Sequence, residues 1–194
     1  MVTIDEFAKR LAAIPEPEFT HESVLRFLRE NRVDRSTLAP YLYFGSDHYT
    51  RNLILRNDLF ELIAICWDIG QKSPIHNHRD QRCWMAMPYG KLQIHNFALM
   101  KKDESKNFCE LRSHGQFLLD MDSPTEVDPE EPIHQVLNLQ QFNSRAVSLH
   151  IYSRPYDTCE VYDLKGKCYE DVLLVNTSEY GILKTDQQVE KVSL

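Results

Sequence analysis

The sequence predicts a mainly β fold, an antiparallel sandwich or barrel standing behind an N-terminal helical segment. Three observations carry that reading. The apolar period changes from 3.6 residues to 2 at about Tyr49. Beyond that point short apolar segments recur between Gly, Pro, Asn and Asp signals with no helical pattern between them, unlike the strand–helix alternation of a parallel sheet. The apolar runs are rich in Val, Ile, Leu, Tyr and Phe, and the 194 residues include only six glycines, which favours regular strands over a glycine-rich phosphate-binding fold. The length fits one domain, divided into a helical segment over 1–40, a β-barrel over 41–180 and a tail over 181–194.

The elements follow in order. Thr3-x-x-Glu6 is a capping box ahead of Phe7, Leu11 and Ile14 at helical spacing, and Pro15 and Pro17 end that helix. Thr20 caps a second helix reaching Arg32, with Val24, Leu25 and Leu28 on its inner face. A turn over Asp34 to Leu38 stops at Pro40. Strands are expected near 49–56, 59–68, 75–78, 82–88, 91–99, 108–112, 116–120, 133–138, 145–152, 158–163 and 172–176. Lys101 to Asn107 and Ser123 to Pro132 read as the two longest loops, and the polar tail from Thr185 as frayed.

Composition excludes several classes of function. Lys and Arg number 22 against 29 Asp and Glu, a net charge of −7, with no basic block for a phosphate backbone, so no nucleic-acid partner is expected. No stretch approaches the ~20 apolar residues of a membrane helix, and Asp5, Glu6, Lys9 and Arg10 interrupt the N-terminus where a signal peptide would be apolar. The expected address is the cytoplasm, with no membrane partner. Five cysteines without a C-x-x-C pair indicate neither a disulfide framework nor a cysteine zinc cage.

The chemistry concentrates in a few segments. His76-Asn77-His78 puts two imidazoles on one face of a strand, close enough for one metal ion. They lie inside G-x5-H-x-H-x4-C-x6-G, running from Gly70 to Gly90, and Pro129-x4-His134-x3-Asn138 offers a third imidazole. The paired segments resemble the two motifs of the cupin superfamily, and the resemblance implies a jelly-roll β-barrel with a metal at its mouth. The glutamate ligand of the usual first motif is replaced here by Cys83, and the usual glycine after the second motif's proline by Glu131. Three neutral imidazoles without a carboxylate leave a divalent ion its full charge and favour an anionic ligand such as a thiolate.

Over residues 40 to 165 the chain resembles the cysteine dioxygenase family. The matching segments are Tyr49-Thr50-Arg51-Asn52, His76-x-His78-x4-Cys83, His134-x3-Asn138 and Ser148-Leu149-His150-Ile151-Tyr152-Ser153 followed by Tyr156-Asp157-Thr158-Cys159. The resemblance implies His76, His78 and His134 as ligands of one mononuclear Fe(II). It makes Ser148, His150 and Tyr152 a hydrogen-bonded relay beside the metal, with Cys83 joined to Tyr152 by a thioether. Arg51, helped by Tyr49, becomes the clamp for the substrate carboxylate, and His150 and Tyr152 face substrate as well. The implied reaction is L-cysteine plus O2 giving cysteine sulfinic acid, in a protein expected to act as a monomer. After Tyr152 the animal pattern reads Ser-Pro-Pro with a cis bond before the first proline, whereas this chain reads Ser153-Arg154-Pro155.

Strand parity bears on these roles without the resemblance. Ser148, His150 and Tyr152 share one face of their strand and Val147, Leu149 and Ile151 the other; the polar face meets water in a surface strand and a lumen in a barrel. Arg51 shares parity with Leu53 and Leu55, so its guanidinium is expected inside, where it needs an anion from an internal Asp or Glu or from a ligand. Cys66 and Cys168 read as small apolar core groups, and His21, His48, His95 and His114 as structural or surface groups. The remaining alternatives are a dioxygenase of another small thiol (3-mercaptopropionate or cysteamine), a non-catalytic metal-binding cupin and a zinc hydrolase.

Overall fold

The computed structural model describes residues 1–127, 132–184 and 189–192. Helix α1 (Ile4–Ala12) starts where expected, with Thr3 Oγ1 accepting the Glu6 N–H at 3.2 Å. Helix α2 (His21–Glu30) is capped by Thr20, which accepts from Ser23 N–H. Short 3-10 turns at Glu16–Glu18 and Arg35–Tyr41 occupy the proline-containing connections, where a longer helix would need the N–H that proline lacks.

The strands are β1 (Tyr43–Gly45), β2 (Thr50–Arg56), β3 (Glu61–Trp67), β4 (Ile75–His76), β5 (Arg82–Tyr89), β6 (Leu92–Asp103), β7 (Phe108–Leu119), β8 (Thr125–Glu126), β9 (Ile133–Leu137), β10 (Ala146–Ser153), β11 (Thr158–Asp163), β12 (Cys168–Leu173), β13 (Ser178–Glu179), β14 (Ile182–Leu183) and β15 (Val189–Lys191). Seven form one sheet in the order β14-β13-β2-β3-β10-β5-β8, six close into a ring in the order β11-β12-β7-β6-β9-β4, and β1 pairs with β15. Apart from the parallel contact of β13 with β2, the pairings within the seven-stranded sheet are antiparallel. This is the jelly-roll β fold with an N-terminal helical segment that the sequence predicts.

The central strands are buried on both faces because two different cores meet there. From β3, Leu62, Ala64 and Cys66 pack with Ile4, Phe7, Leu11, Val24 and Leu28 of the helices, while Ile63, Ile65 and Trp67 join an interior cluster with Cys83, Met85, Ile94, Val136 and Tyr152. A third, smaller cluster of Ile75, Phe97, Cys109, Ile133 and Tyr162 fills the ring side. Gly90 (φ +74°) turns the chain from β5 into β6; a Cβ there would meet Arg145 O at 2.7 Å and Ala146 Cα at 2.9 Å, so a side chain has no room.

Several expectations need correction. Lys101 to Asn107 is not a long loop: β6 runs to Asp103, and only the turn Glu104–Lys106 separates it from β7. Its charged residues sit on an exposed hairpin, where both faces tolerate polar side chains. The segments 108–112 and 116–120 form one strand with register shifts against β6. The expected loop from Ser123 contains β8, with Pro129 and Glu131 outside the described residues. The strand expected at 172–176 lies at Cys168–Leu173, and β1 was not anticipated. The tail is not simply frayed, since Val189–Lys191 pairs with β1, leaving 185–188 and 193–194 outside the described residues. A register shift between Leu53 and Leu55 breaks their shared parity, so Leu53 faces the interior and Leu55 packs on the helix side.

Candidate metal centre

The six-stranded ring brings His76 of β4, His78 just past it and His134 of β9 together, with one ligand atom from each lying within 4.8 Å of the others. Antiparallel pairing of β4 with β9 puts His76 opposite His134, and the ring centroids of the three are 4.7–5.2 Å apart. His76 donates Nδ1–H to the Pro74 carbonyl at 3.0 Å, which leaves its Nε2 with a lone pair. Both ring nitrogens of His78 and of His134 are buried without a hydrogen-bond partner among the described residues. Unpaired buried polar atoms are costly, and neutral imidazoles with available lone pairs suit a divalent metal ion, so the residues present fit such an ion.

Burial keeps these rings uncharged. It pushes His78 and His134 well below the usual histidine value, with mutual repulsion adding to the effect. Desolvation takes His76 down to about 4 despite its bond to Pro74. A site of this kind has no protons to release when it takes a cation at neutral pH.

Strand β10 carries the polar groups beside the imidazoles. Ser148 Oγ lies 2.9 Å from His150 Nε2, and Tyr152 Oη lies 2.9 Å from His150 Nδ1. Trp67 Nε1–H donates to Ser148 Oγ at 2.9 Å from the neighbouring strand β3, an extension of the chain that sequence reasoning missed because nothing local marks Trp67 as polar. The face of β10 that carries these groups is turned inward, so Ser148, His150 and Tyr152 are all buried. Burial lowers the His150 pKa to about 3, helped by the Arg51 charge, and holds Tyr152 as a neutral phenol. The Tyr152 ring lies 5.6 Å from that of His78.

Cys83 on β5 is the cross-strand partner of Tyr152. Its sulfur is buried, 4.0 Å from His150 Nδ1, and burial pushes its thiol pKa up. Arg51 reaches in from β2, its guanidinium carbon 5.6 Å from the Tyr152 ring centroid. The internal carboxylate is Glu61, 3.6 Å from Arg51 and shared with Arg56 at 3.5 Å. That is an ion pair without a hydrogen bond, and Arg51 Nε has no partner among the described residues. Burial works against the guanidinium charge, but Tyr152, Tyr156, Tyr49 and Glu61 outweigh it and raise its pKa.

A cavity of about 350 Å³ opens onto these groups, lined by Tyr49, Arg51, His76, Tyr152, Tyr156 and Cys159 among others. Tyr49 stacks on Trp67 with centroids 4.6 Å apart. His48 lines the cavity as well and is exposed, the surface group that the sequence predicts. Tyr156, at 5.3 Å from the Tyr152 ring, belongs to a matched segment but was assigned no role. Asn138 donates to the carbonyls of Trp67, Asp68 and Ser144 at 2.9–3.3 Å and so pins a loop. The Ser153–Arg154 peptide is cis. The Arg154 N–H donates to Gln81 Oε1 at 2.6 Å.

The family model for cysteine dioxygenase type I matches residues 12–165. Cysteine dioxygenase type 1 of Bos taurus and that of Homo sapiens are each 30% identical to this chain over 166 residues, covering 85% of it and 80% of the relative. The Danio rerio protein of the same name is 26% identical over 181 residues, 92% of this chain and 88% of its own. Among solved structures, a double-stranded β-helix protein from Klebsiella pneumoniae aligns with TM-score 0.47 at 12% identity, covering 64% of this chain and 86% of that one.

Proposed function

The chain belongs to the cysteine dioxygenase type I family, and from that premise we propose that it oxidises the thiol of L-cysteine with O2 to cysteine sulfinic acid, both oxygen atoms entering the product. His76, His78 and His134 hold one Fe(II) per chain. The observation that carries this reading is the donor set itself, three uncharged imidazoles with lone pairs, His78 and His134 buried and His76 half-buried, and no protein carboxylate among them. Bound there, Fe(II) supplies Lewis acidity toward a thiolate and one-electron chemistry toward O2.

The chain's own residues do the remaining work. Arg51 takes the substrate carboxylate: its Nε is unpartnered among the described residues and Glu61 stands beyond hydrogen-bond reach, so donors remain for a second anion. Tyr49 contributes its hydroxyl beside the clamp. Ser148, His150 and Tyr152 hold a proton at the phenol. With the imidazole proton on Nδ1, His150 donates to Tyr152 and the phenol O–H is free to point toward the cavity; with it on Nε2, Tyr152 donates to His150 instead. Two such states let the relay offer a hydrogen bond to developing negative charge on oxygen. Cys83 and Tyr152 form a thioether, an S–C bond made at the expense of one S–H and one C–H with O2 as oxidant; their cross-strand pairing supports it. The four buried free cysteines, Cys66, Cys83, Cys109 and Cys159, support a reducing cytoplasm. One chain carries the three histidines, the Arg51 clamp and the relay, which supports action as a monomer.

The test is an assay with two thiols. Purified protein carrying iron is expected to form sulfinate from cysteine and to be slower with cysteamine by on the order of 10² or more in kcat/KM, because cysteamine leaves Arg51 unpaired. Arg51→Ala is expected to cost cysteine turnover steeply and leave cysteamine nearly unchanged. Equal turnover of the two thiols by the wild type, or equal losses in the variant, would reduce Arg51 to a structural partner of Glu61 and the cysteine assignment to an unspecified thiol.

A further inference from the structure

We propose that Asn77 and Glu160 form a latch that positions His76 and His78, making both of them positioning residues for the metal centre. The inference rests on the reading of the three histidines as metal ligands. Histidine ligands are ordinarily oriented by a hydrogen bond from their second ring nitrogen to a carboxylate or carbonyl. His76 has such a bond to Pro74. His78 has none among the described residues, so its ring direction depends on the backbone that carries it.

That backbone has little regular structure of its own. The ladder between β4 and β11 ends at the pair of His76 with Val161, and just past His78 come Arg79 and Asp80 at φ +51° and +61°. Asn77 supplies the missing restraint. Its N–H donates to the Glu160 carbonyl at 3.2 Å, and its Oδ1 accepts the Glu160 N–H at 3.0 Å. Its Nδ2 donates to Glu160 Oε2 at 2.9 Å and to Tyr162 Oη at 3.1 Å. The side-chain amide thus extends the ladder by one residue beyond the strand.

Glu160 is itself held from the other side. Tyr162 O–H donates to Oε2 at 2.6 Å, Lys102 Nζ donates to Oε1 at 2.7 Å, and Arg79 lies 3.7 Å from the same oxygen. The carboxylate is buried, with its acceptor positions filled by donors that converge on one geometry. The Asn77 side chain is taken up by Glu160 and Tyr162, so the latch grips the chain without occupying the metal position.

The experiment titrates anaerobic, metal-free, full-length protein with Fe(II) and follows each variant's melting temperature in parallel. Asn77→Ala is expected to weaken Fe(II) binding by about 10- to 100-fold, the usual cost of losing an outer partner. Glu160→Gln keeps the Glu160 backbone bonds to Asn77 and is expected to weaken binding several-fold. Leu28→Ala in the helix-side core loses melting temperature but keeps wild-type affinity. The visible spectrum of the Co(II)-loaded protein should shift in Asn77→Ala and stay unchanged in Leu28→Ala, a readout that general destabilisation does not move. Unchanged Fe(II) affinity in Asn77→Ala, or an equal loss in Leu28→Ala, overturns the latch while leaving the ligands intact. If Asn77→Ala does not fold, Glu160→Gln decides, and wild-type affinity there overturns the proposal. A wild-type protein that takes up no Fe(II) overturns the metal reading and the latch together.

Discussion

The two faces of β10 are equally buried and chemically opposite. Val147, Leu149 and Ile151 join the hydrophobic cluster packed against the helices, while Ser148, His150 and Tyr152 on the inner face are tied into one hydrogen-bonded chain with Trp67. Burying the apolar face stabilises the fold by about 25 cal/mol per Å² removed from water. The polar face returns little, because each hydrogen bond made replaces one to water. One strand therefore separates two tasks: its outer face holds the molecule together and its inner face builds the site. Substitutions on the two faces should fail in different ways.

The largest effect is expected at the site. His134→Ala, at a buried position whose ring nitrogens have no hydrogen-bond partner among the described residues, should reduce bound iron and dioxygenase activity to background, with the melting temperature of the metal-free protein changing little. Full iron content by elemental analysis would remove His134 from the ligand set. Leu149→Ala should do the reverse, costing about 2–5 kcal/mol of stability as a cavity in the helix-side cluster, while iron stoichiometry at low temperature stays unchanged. Denaturant unfolding measures the first and metal analysis the second. If Leu149→Ala lost iron without losing stability, the division of labour along β10 would not hold.

A smaller effect follows from acid. In the unfolded chain histidines titrate near ~6.5, whereas the folded protein holds His150 at about 3 and His76 at about 4. Folded-state values below the unfolded ones mean that the unfolded chain takes up more protons as pH falls. Stability is therefore fully present above pH ~6.5 and is lost progressively on acidification toward those folded values. The metal-free protein should melt lower at pH 5 than at pH 7, and His150→Gln should flatten that dependence; a pH-independent melting temperature over this interval contradicts it. The smallest effect is expected for Cys83→Ser. It should remove the thioether, seen as the absence of the mass decrease of about 2 Da and of the faster gel band, and retain measurable activity because the bond only steadies Tyr152. Identical masses and bands for the wild type before and after turnover would leave Cys83 as a core thiol.

Much of this was legible in order along the chain. The Thr3 and Thr20 caps, the inner faces of α1 and α2, and the shared parity of Ser148, His150 and Tyr152 are local regularities that a neighbour a few residues away can reveal. The exposed hairpin of β6 and β7 was misread for the same reason in reverse: with Lys101, Lys102 and Asp103 exposed or half-buried, its composition looks like that of a loop, and only pairing with a partner strand makes it β.

The sequence by itself determined which side chains share a face, where helices begin, and that two imidazoles, His76 and His78, stand at a spacing a metal could use. The tertiary structure alone decided that neither face of β10 meets water. A period of two is the same for a strand with one face in water and a strand covered on both, and the covering helices come from residues more than a hundred positions earlier. It also decided that Glu61 stands near Arg51 without bonding it, that Trp67 ends the relay, and that Asn77 grips Glu160 across 83 residues of chain. Such pairings are set by the order in which strands lie side by side, and local patterning carries no information about that order.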